Sequence, residues 1–255
     1  MISLLSPAKS LDFEFSMEGL ECTTPDLLEN ADYLAKKLKP YSAGRIAKLM
    51  SVSKDLAELN HNRYQSWHVP HDSSARPCLL AFRGDVYRGM AAVDFTRQDL
   101  DFAQDHIRIL SGLYGVLRPM DRILPYRLEM GTSLKVTATK KNLYNFWGET
   151  ITNKLNEVVE QNDSKVMVNL ASNEYFKSIH TDKLKGELIT CSFKDKKNGE
   201  YKAIMTFAKL ARGFMTRYIV SNRVDQKEGL KDFDLEGYGF SSKLSTPTEY
   251  VFTRG

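Results

Sequence analysis

The stretch KVMVNLASNEYFKSI, residues 165–179, decides the fold. Its first half, Lys165–Leu170, is an apolar run short enough for a buried strand. Ser172 then stands where a helix N-cap belongs, and NEYFKSI follows as the helix. A strand that exits directly into a capped helix is the repeating unit of an α/β protein. The N-terminus repeats the first half of that unit, with Ile2–Leu5 a short buried strand closed by Ser6-Pro7.

Helices alternate with strands along the rest of the chain. Thr24-Pro25 starts a helix through about Leu38, with Thr24 as N-cap and proline in the first turn. Ser53 caps a second, with Leu56, Leu59, Tyr64 and Trp67 at helical spacing. Cys78–Phe82 reads as a strand. Thr96 opens a helix containing Leu100, Phe102, Ala103 and Ile107, and Phe146, Trp147, Ile151, Leu155 and Val158 mark a longer one. Glu187–Phe193 and Glu200–Thr206 form a hairpin around Asn198-Gly199. A helix spans about Phe207–Asn222, and Tyr238–Ser241 and Tyr250–Thr253 close the chain as strands. The expectation is a mixed α/β fold, a mixed β-sheet covered by helices, in a single domain over residues 1–255.

With 255 residues, 42% apolar and 27% charged, the chain has the composition of an ordinary globular protein and can bury a core without disulfides or metals. Its three cysteines, Cys22, Cys78 and Cys191, are far apart and fit a reducing compartment. The four apolar residues before Ser6 are too few for a signal segment, and no run is long enough to span a bilayer, so a cytoplasmic protein without a membrane partner is expected.

A net charge of +4 permits a nucleic-acid partner, and its distribution favours one. No acid lies between Glu200 and Asp225, whereas Lys202, Lys209, Arg212, Arg217 and Arg223 do. At about 100° per residue, Lys209, Arg212, Thr216 and Arg223 fall within roughly 60° of one another. Residues 194–231 hold ten basic and four acidic side chains, a local excess larger than that of the whole chain. Concentrated positive charge suits phosphates, because each neutralised phosphate releases counterions. A second cluster, ILSGLYGVLRPMDRILPYRLEMG (109–131), places Arg118, Arg122 and Arg127 after Gly112 and Gly115. Two helices joined there by a glycine turn would resemble a helix-hairpin-helix, whose turn N–H groups hold a phosphate. A tight turn between core elements is the other reading.

Three strand exits carry polar residues. SPAKSLD places Ser6, Lys9 and Ser10 where they could hold a phosphate or carboxylate, with Asp12 as internal partner. Its S-x-x-K spacing lacks the companion motifs of a serine nucleophile. FRGDVYRG (82–89) adds Arg83, Asp85, Tyr87 and Arg88, with Asp85 read also as a helix cap. Asn169, Ser172, Glu174 and Tyr175 stand at the third exit. His61, His68 and His71, with Cys78, match no metal-ligand spacing and read as surface histidines. No dinucleotide, P-loop or zinc-protease motif occurs, and no cofactor is expected.

SPAKSLDF, AFRGDVYRGM, LSGLYGVLRPMDRILPYRLEMG, LYNFWGETITNKLNE, NLASNEYFKSI, the KNGEYK hairpin with FAKLARGFMTRYIV, and LEGYGF together resemble the YaaA peroxide-stress family, in order along nearly the whole chain. The resemblance implies a cytosolic bacterial protein that aids survival of hydrogen peroxide by limiting unincorporated iron. It also implies an α/β body with a basic cleft and a helix-hairpin-helix-like element, here at Ser111–Arg118, linked to DNA binding.

The expected function is therefore a DNA-binding stress protein with no catalytic residue and no tightly bound metal. Lys9, Arg83, Arg88, Arg118, Arg122, Arg127, Lys209, Arg212, Arg217 and Arg223 would contact phosphate, with Gly112 and Gly115 at the turn. The rival is an enzyme acting on a phosphorylated or nucleotide-like small molecule through Ser6, Lys9, Ser10, Asp12 and Asp85. A closed pocket with convergent polar groups would favour the rival, an open basic surface the first.

Overall fold

The computed structural model describes residues 1–255. Eight strands make one sheet: β1 (Ile2–Leu5), β2 (Ile107–Ser111), β3 (Gly115–Leu117), β4 (Val166–Asn169), β5 (Glu187–Lys197), β6 (Glu200–Lys202), β7 (Gly239–Phe240) and β8 (Glu249–Arg254). Their order is β7-β8-β5-β4-β1-β2-β3, with β6 folded back on β5. The pairs β2/β1, β1/β4, β4/β5 and β5/β8 are parallel, whereas β3, β6 and β7 attach antiparallel. Every residue of β1, β2 and β4 is buried, as parallel strands covered on both faces require.

The helices are α1 (Leu28–Leu38), α2 (Ala43–Met50), α3 (Lys54–Gln65), α4 (Asp85–Met90), α5 (Arg97–His106), α6 (Leu143–Trp147), α7 (Thr150–Glu160), α8 (Asn173–Phe176) and α9 (Met205–Ser221). Ser53 and Thr96 cap α3 and α5 as the sequence predicts, the latter through a reciprocal box with Asp99. Asn198 and Gly199 both take positive φ, the geometry of the hairpin turn expected between β5 and β6. The core cluster runs from Met1 to Phe252, joining both ends of the chain.

Several expectations are corrected. Residues 107–117 form an antiparallel β-hairpin, β2–β3, and not two helices around a glycine turn. Ser111 Oγ accepts the turn N–H groups of Leu113 and Tyr114, and Gly115 sits at φ +73°. Gly112 and Gly115 are buried: a Cβ on Gly112 would stand 2.3 Å from Leu128 O, and one on Gly115 2.8 Å from the Trp147 ring. Ile107 begins a strand instead of ending α5, because its neighbours register on β1. Cys78–Ala81 is a single helical turn and not a strand: the Cys78 and Leu79 N–H groups bond the carbonyls of Asp121 and Pro119. A short apolar run cannot by itself distinguish the two. The helix expected from Thr24 starts at Leu28, since Thr23 and Thr24 are held by Asp121 and Arg118. The long helix through Phe146 breaks at Gly148, with φ +46°. Asp85 is the first residue of α4, with Gly84 at the cap position.

Candidate functional site

The chain leaves β1 toward β2 on one side and leaves β4 toward β5 on the other. Loops after two adjacent parallel strands then diverge and open a crevice at their carboxyl ends, the position where α/β sheets bind ligands. Ser6 follows β1 and Ser172 stands just beyond β4. Ser6 Oγ accepts the Ser172 N–H at 2.8 Å and donates to Ser172 Oγ at 3.2 Å, so the two exits are tied together. Tyr87 of α4 donates to the Ser6 carbonyl at 3.0 Å.

Above this tie lies a cleft of about 580 Å³. Ser6, Lys9 and Ser10 supply one wall, Arg83, Asp85 and Tyr87 the next, Ser172, Glu174 and Tyr175 the third, and Lys209 and Arg212 the last. The three polar strand exits therefore converge, joined by the start of α9. What brings α9 in is a backbone crossing with α4. A Cβ on Gly213 would meet Val86 O at 2.0 Å, and one on Gly89 would meet Leu210 O at 2.4 Å. Only glycine at both positions lets the helices approach so closely. Thr216, expected on an open basic stripe, is buried, so that face of α9 is in part a packing face.

Most of the expected phosphate contacts already hold a carboxylate. Lys9 Nζ lies 2.6 Å from Glu129, and Arg83 lies 2.9 Å from Asp12, which the sequence reading makes a partner within its own loop. Arg88 pairs with Asp85 at 3.1 Å, Arg118 with Asp121 at 3.0 Å and Asp26 at 3.2 Å, and Arg127 with Glu129 at 2.9 Å. Arg217 faces Asp94 at 3.6 Å and Arg223 faces Asp99 at 2.7 Å. A helix without acids in sequence thus meets acids in space, on the segment around α5. Arg122 is half-buried in a two-residue ladder with Arg76-Pro77. Lys9 is on Glu129 and not on Ser6, so the S-x-x-K pair does not form a nucleophile and its base.

Lys209 and Arg212 are the cleft cations without a carboxylate partner. Lys209 is exposed; Arg212 is half-buried, and burial alone pulls its pKa below the ordinary arginine value. Its guanidinium has lost part of its water and gained nothing from the chain in return.

The histidines are bound into the scaffold. His71 Nε2 lies 3.0 Å from Tyr114 Oη and its Nδ1 3.0 Å from the His68 carbonyl. His61 Nδ1 is 2.9 Å from the Tyr41 carbonyl, and Cys78 Sγ donates to the Arg118 carbonyl.

A second basic concavity escapes the sequence reading. Tyr41, Arg45, Lys48, Leu49 and Ser51 of α2 and its flanks face Ser133 and Lys135 across a groove of about 550 Å³ that no acid lines. Arg45 lies flat on Tyr41 at 3.5 Å from the ring centroid. Here α2 and α3 are joined by Ser51–Ser53, with Ser51 at φ 52°, making a tight helical hairpin far from the predicted one. The signal was present: six cations and no acid lie between Asp32 and Asp55, and Lys135, Lys140 and Lys141 lie between Glu129 and Glu149 without one. One strap connects the two concavities. Glu129 holds Lys9, the Gly131 N–H donates to Glu174, and Ser133 and Lys135 line the groove. Six residues of chain reach at most about 20 Å.

Fold and geometry define an α/β protein with a mixed eight-stranded sheet and a polar cleft at a topological switch point. The family model described as peroxide stress protein YaaA matches residues 1–244, and the chain belongs to that family. No helix is long and apolar enough to cross a membrane.

Proposed function

We propose that this peroxide-stress protein acts by binding duplex DNA along the phosphate backbone. The observation that carries the reading is the groove at the α2–α3 hairpin, where Arg45, Lys48 and Lys135 converge with no acid among the lining residues. Cations that hold no carboxylate are the ones whose charge is available to phosphate. Three such side chains on one concave surface supply affinity without base readout. The paired arginines around α5 and β3 contribute less, since each must exchange a carboxylate for a phosphate. The limitation of unincorporated iron implied by the family resemblance belongs to this reading as its physiological end, with DNA the molecule protected.

Fluorescence anisotropy on two unrelated duplexes across a salt series tests the proposal. The double variant Arg45→Gln/Lys48→Gln is expected to weaken both duplexes alike and to reduce the log–log salt slope by about 2. An unchanged slope, or a loss confined to one duplex, overturns it.

A further inference from the structure

The strand-exit cleft has features that a groove for a duplex does not need. It is bounded by the exits of β1 and β4, by α4 and by the start of α9, and its volume of about 580 Å³ lies within the range of small-molecule sites. Its anion-binding groups are graded. Lys9 and Arg83 carry carboxylates that lie outside the cleft wall, while Lys209 and Arg212 carry none. A guanidinium that is half-buried and makes no ion pair is costly in the empty protein and repaid when an anion enters. The planar fork of Arg212 suits two phosphate oxygens at once, and Lys209 adds a mobile point charge. Hydroxyls of Ser6, Ser10 and Ser172 add donors suited to a phosphate monoester, while the two carboxylates of the lining are already engaged, Asp85 by Arg88 and Glu174 by the Gly131 N–H.

The cleft also has an apolar neighbour. Arg83, Gly84 and Tyr87 belong both to its wall and to that of an adjoining pocket of about 480 Å³, whose other lining is apolar (Leu79, Leu80, Phe82, Ala91, Ala92 and Val93) except for Arg88. An anion-binding end beside an apolar chamber, with a shared tyrosine and arginine between them, matches a ligand that has a phosphate at one end and a flat apolar body at the other. Inorganic phosphate would leave the chamber empty, and an uncharged aromatic would leave Arg212 unpaired.

We infer that this cleft is a binding site for a small phosphomonoester with an aromatic body, a nucleoside monophosphate being the type, with Arg212 and Lys209 on the phosphate and the Leu80–Val93 chamber around the base. The site is separate from the DNA groove, although the strap Glu129–Lys135 links them.

Isothermal titration of the full chain with AMP, ribose 5-phosphate and adenosine tests the assignment. AMP is expected to bind saturably, with ribose 5-phosphate and adenosine each weaker. Arg212→Gln should weaken AMP about tenfold or more, equivalent to about 1.4 kcal/mol, with a melting temperature equal to or above wild type. Lys209→Gln, at an exposed position, supplies the same test if the first variant fails to fold. The groove variant Arg45→Gln/Lys48→Gln should bind AMP as wild type does, which separates this site from the DNA surface. Absence of saturable AMP binding, or equal binding by both cleft variants and wild type, overturns the inference. Equal affinity for AMP and ribose 5-phosphate removes the apolar chamber from it.

Discussion

Replacing Gly213 by alanine tests whether the α4–α9 crossing builds the cleft. The new Cβ would stand 2.0 Å from Val86 O, 2.7 Å from the Met90 nitrogen and 2.9 Å from the Gly89 carbonyl carbon. All three obstacles are backbone atoms of α4, so none can rotate away as a side chain would. The nearest contact falls more than an ångström short of ordinary van der Waals separation, and the helices must part. Overpacking of this kind costs about 3 kcal/mol, the upper end of the usual range, because backbone must move. Alanine returns about 1 kcal/mol through helix propensity, leaving a net loss of about 2 kcal/mol. For a chain of this length that lowers the melting temperature by roughly 4–8 °C. Gly44→Ala in α2, where nothing lies within 4 Å of the added carbon, is the matched control and should raise stability by up to about 1 kcal/mol. Thermal unfolding followed by circular dichroism reads both. Since α9 carries Lys209 and Arg212, AMP affinity should fall with Gly213→Ala as well. A Gly213→Ala protein as stable as wild type would refute the crossing as described.

Asp121→Ala should cost about 3 kcal/mol in urea unfolding: the buried carboxylate accepts from Thr23 Oγ1 and from the Arg118 N–H, Nε and Nη2, and its loss leaves Asp26 as the one carboxylate on Arg118. A cost below about 1 kcal/mol would show that the network is dispensable. Burial lowers the pKa of His71 and of His106 below the ordinary 6.5, so the folded state binds their protons less tightly than the unfolded chain does. Stability is then fully present above that ordinary value and declines as pH falls through it toward the folded-state pKa. Urea unfolding between about pH 7.5 and about pH 5.5 should show that decline, and His71→Gln should flatten it; a pH-independent midpoint contradicts the assignment.

The elements legible in the sequence are those in which local chemistry dictates the backbone. Ser53 and Thr96 cap helices because their side chains satisfy N–H groups a few residues away, and Asn198-Gly199 turns a hairpin because both residues tolerate positive φ. The run VMVN within KVMVNL is a strand because a short apolar segment is buried on both faces. The polar residues of the three strand exits are also visible in the sequence, and the fold brings them to one cleft. What the sequence left open is whether a short buried run such as ILSGLYGVL is helix or strand. Its burial and apolar character are the same in either case, and only the register of Ile107–Ile109 on β1 settles it as a strand. Charge was open for a related reason. The acid-free run around α9 reads as a basic face until folding brings Asp94 and Asp99 against Arg217 and Arg223, because ion pairs form between residues more than a hundred positions apart. The same long-range assembly leaves Arg212 half-buried and alone beside Ser6 and Ser172. Which cations stay free, and which loops meet around them, follows from strand order and the Gly89–Gly213 crossing, and neither is written in any local stretch of the chain.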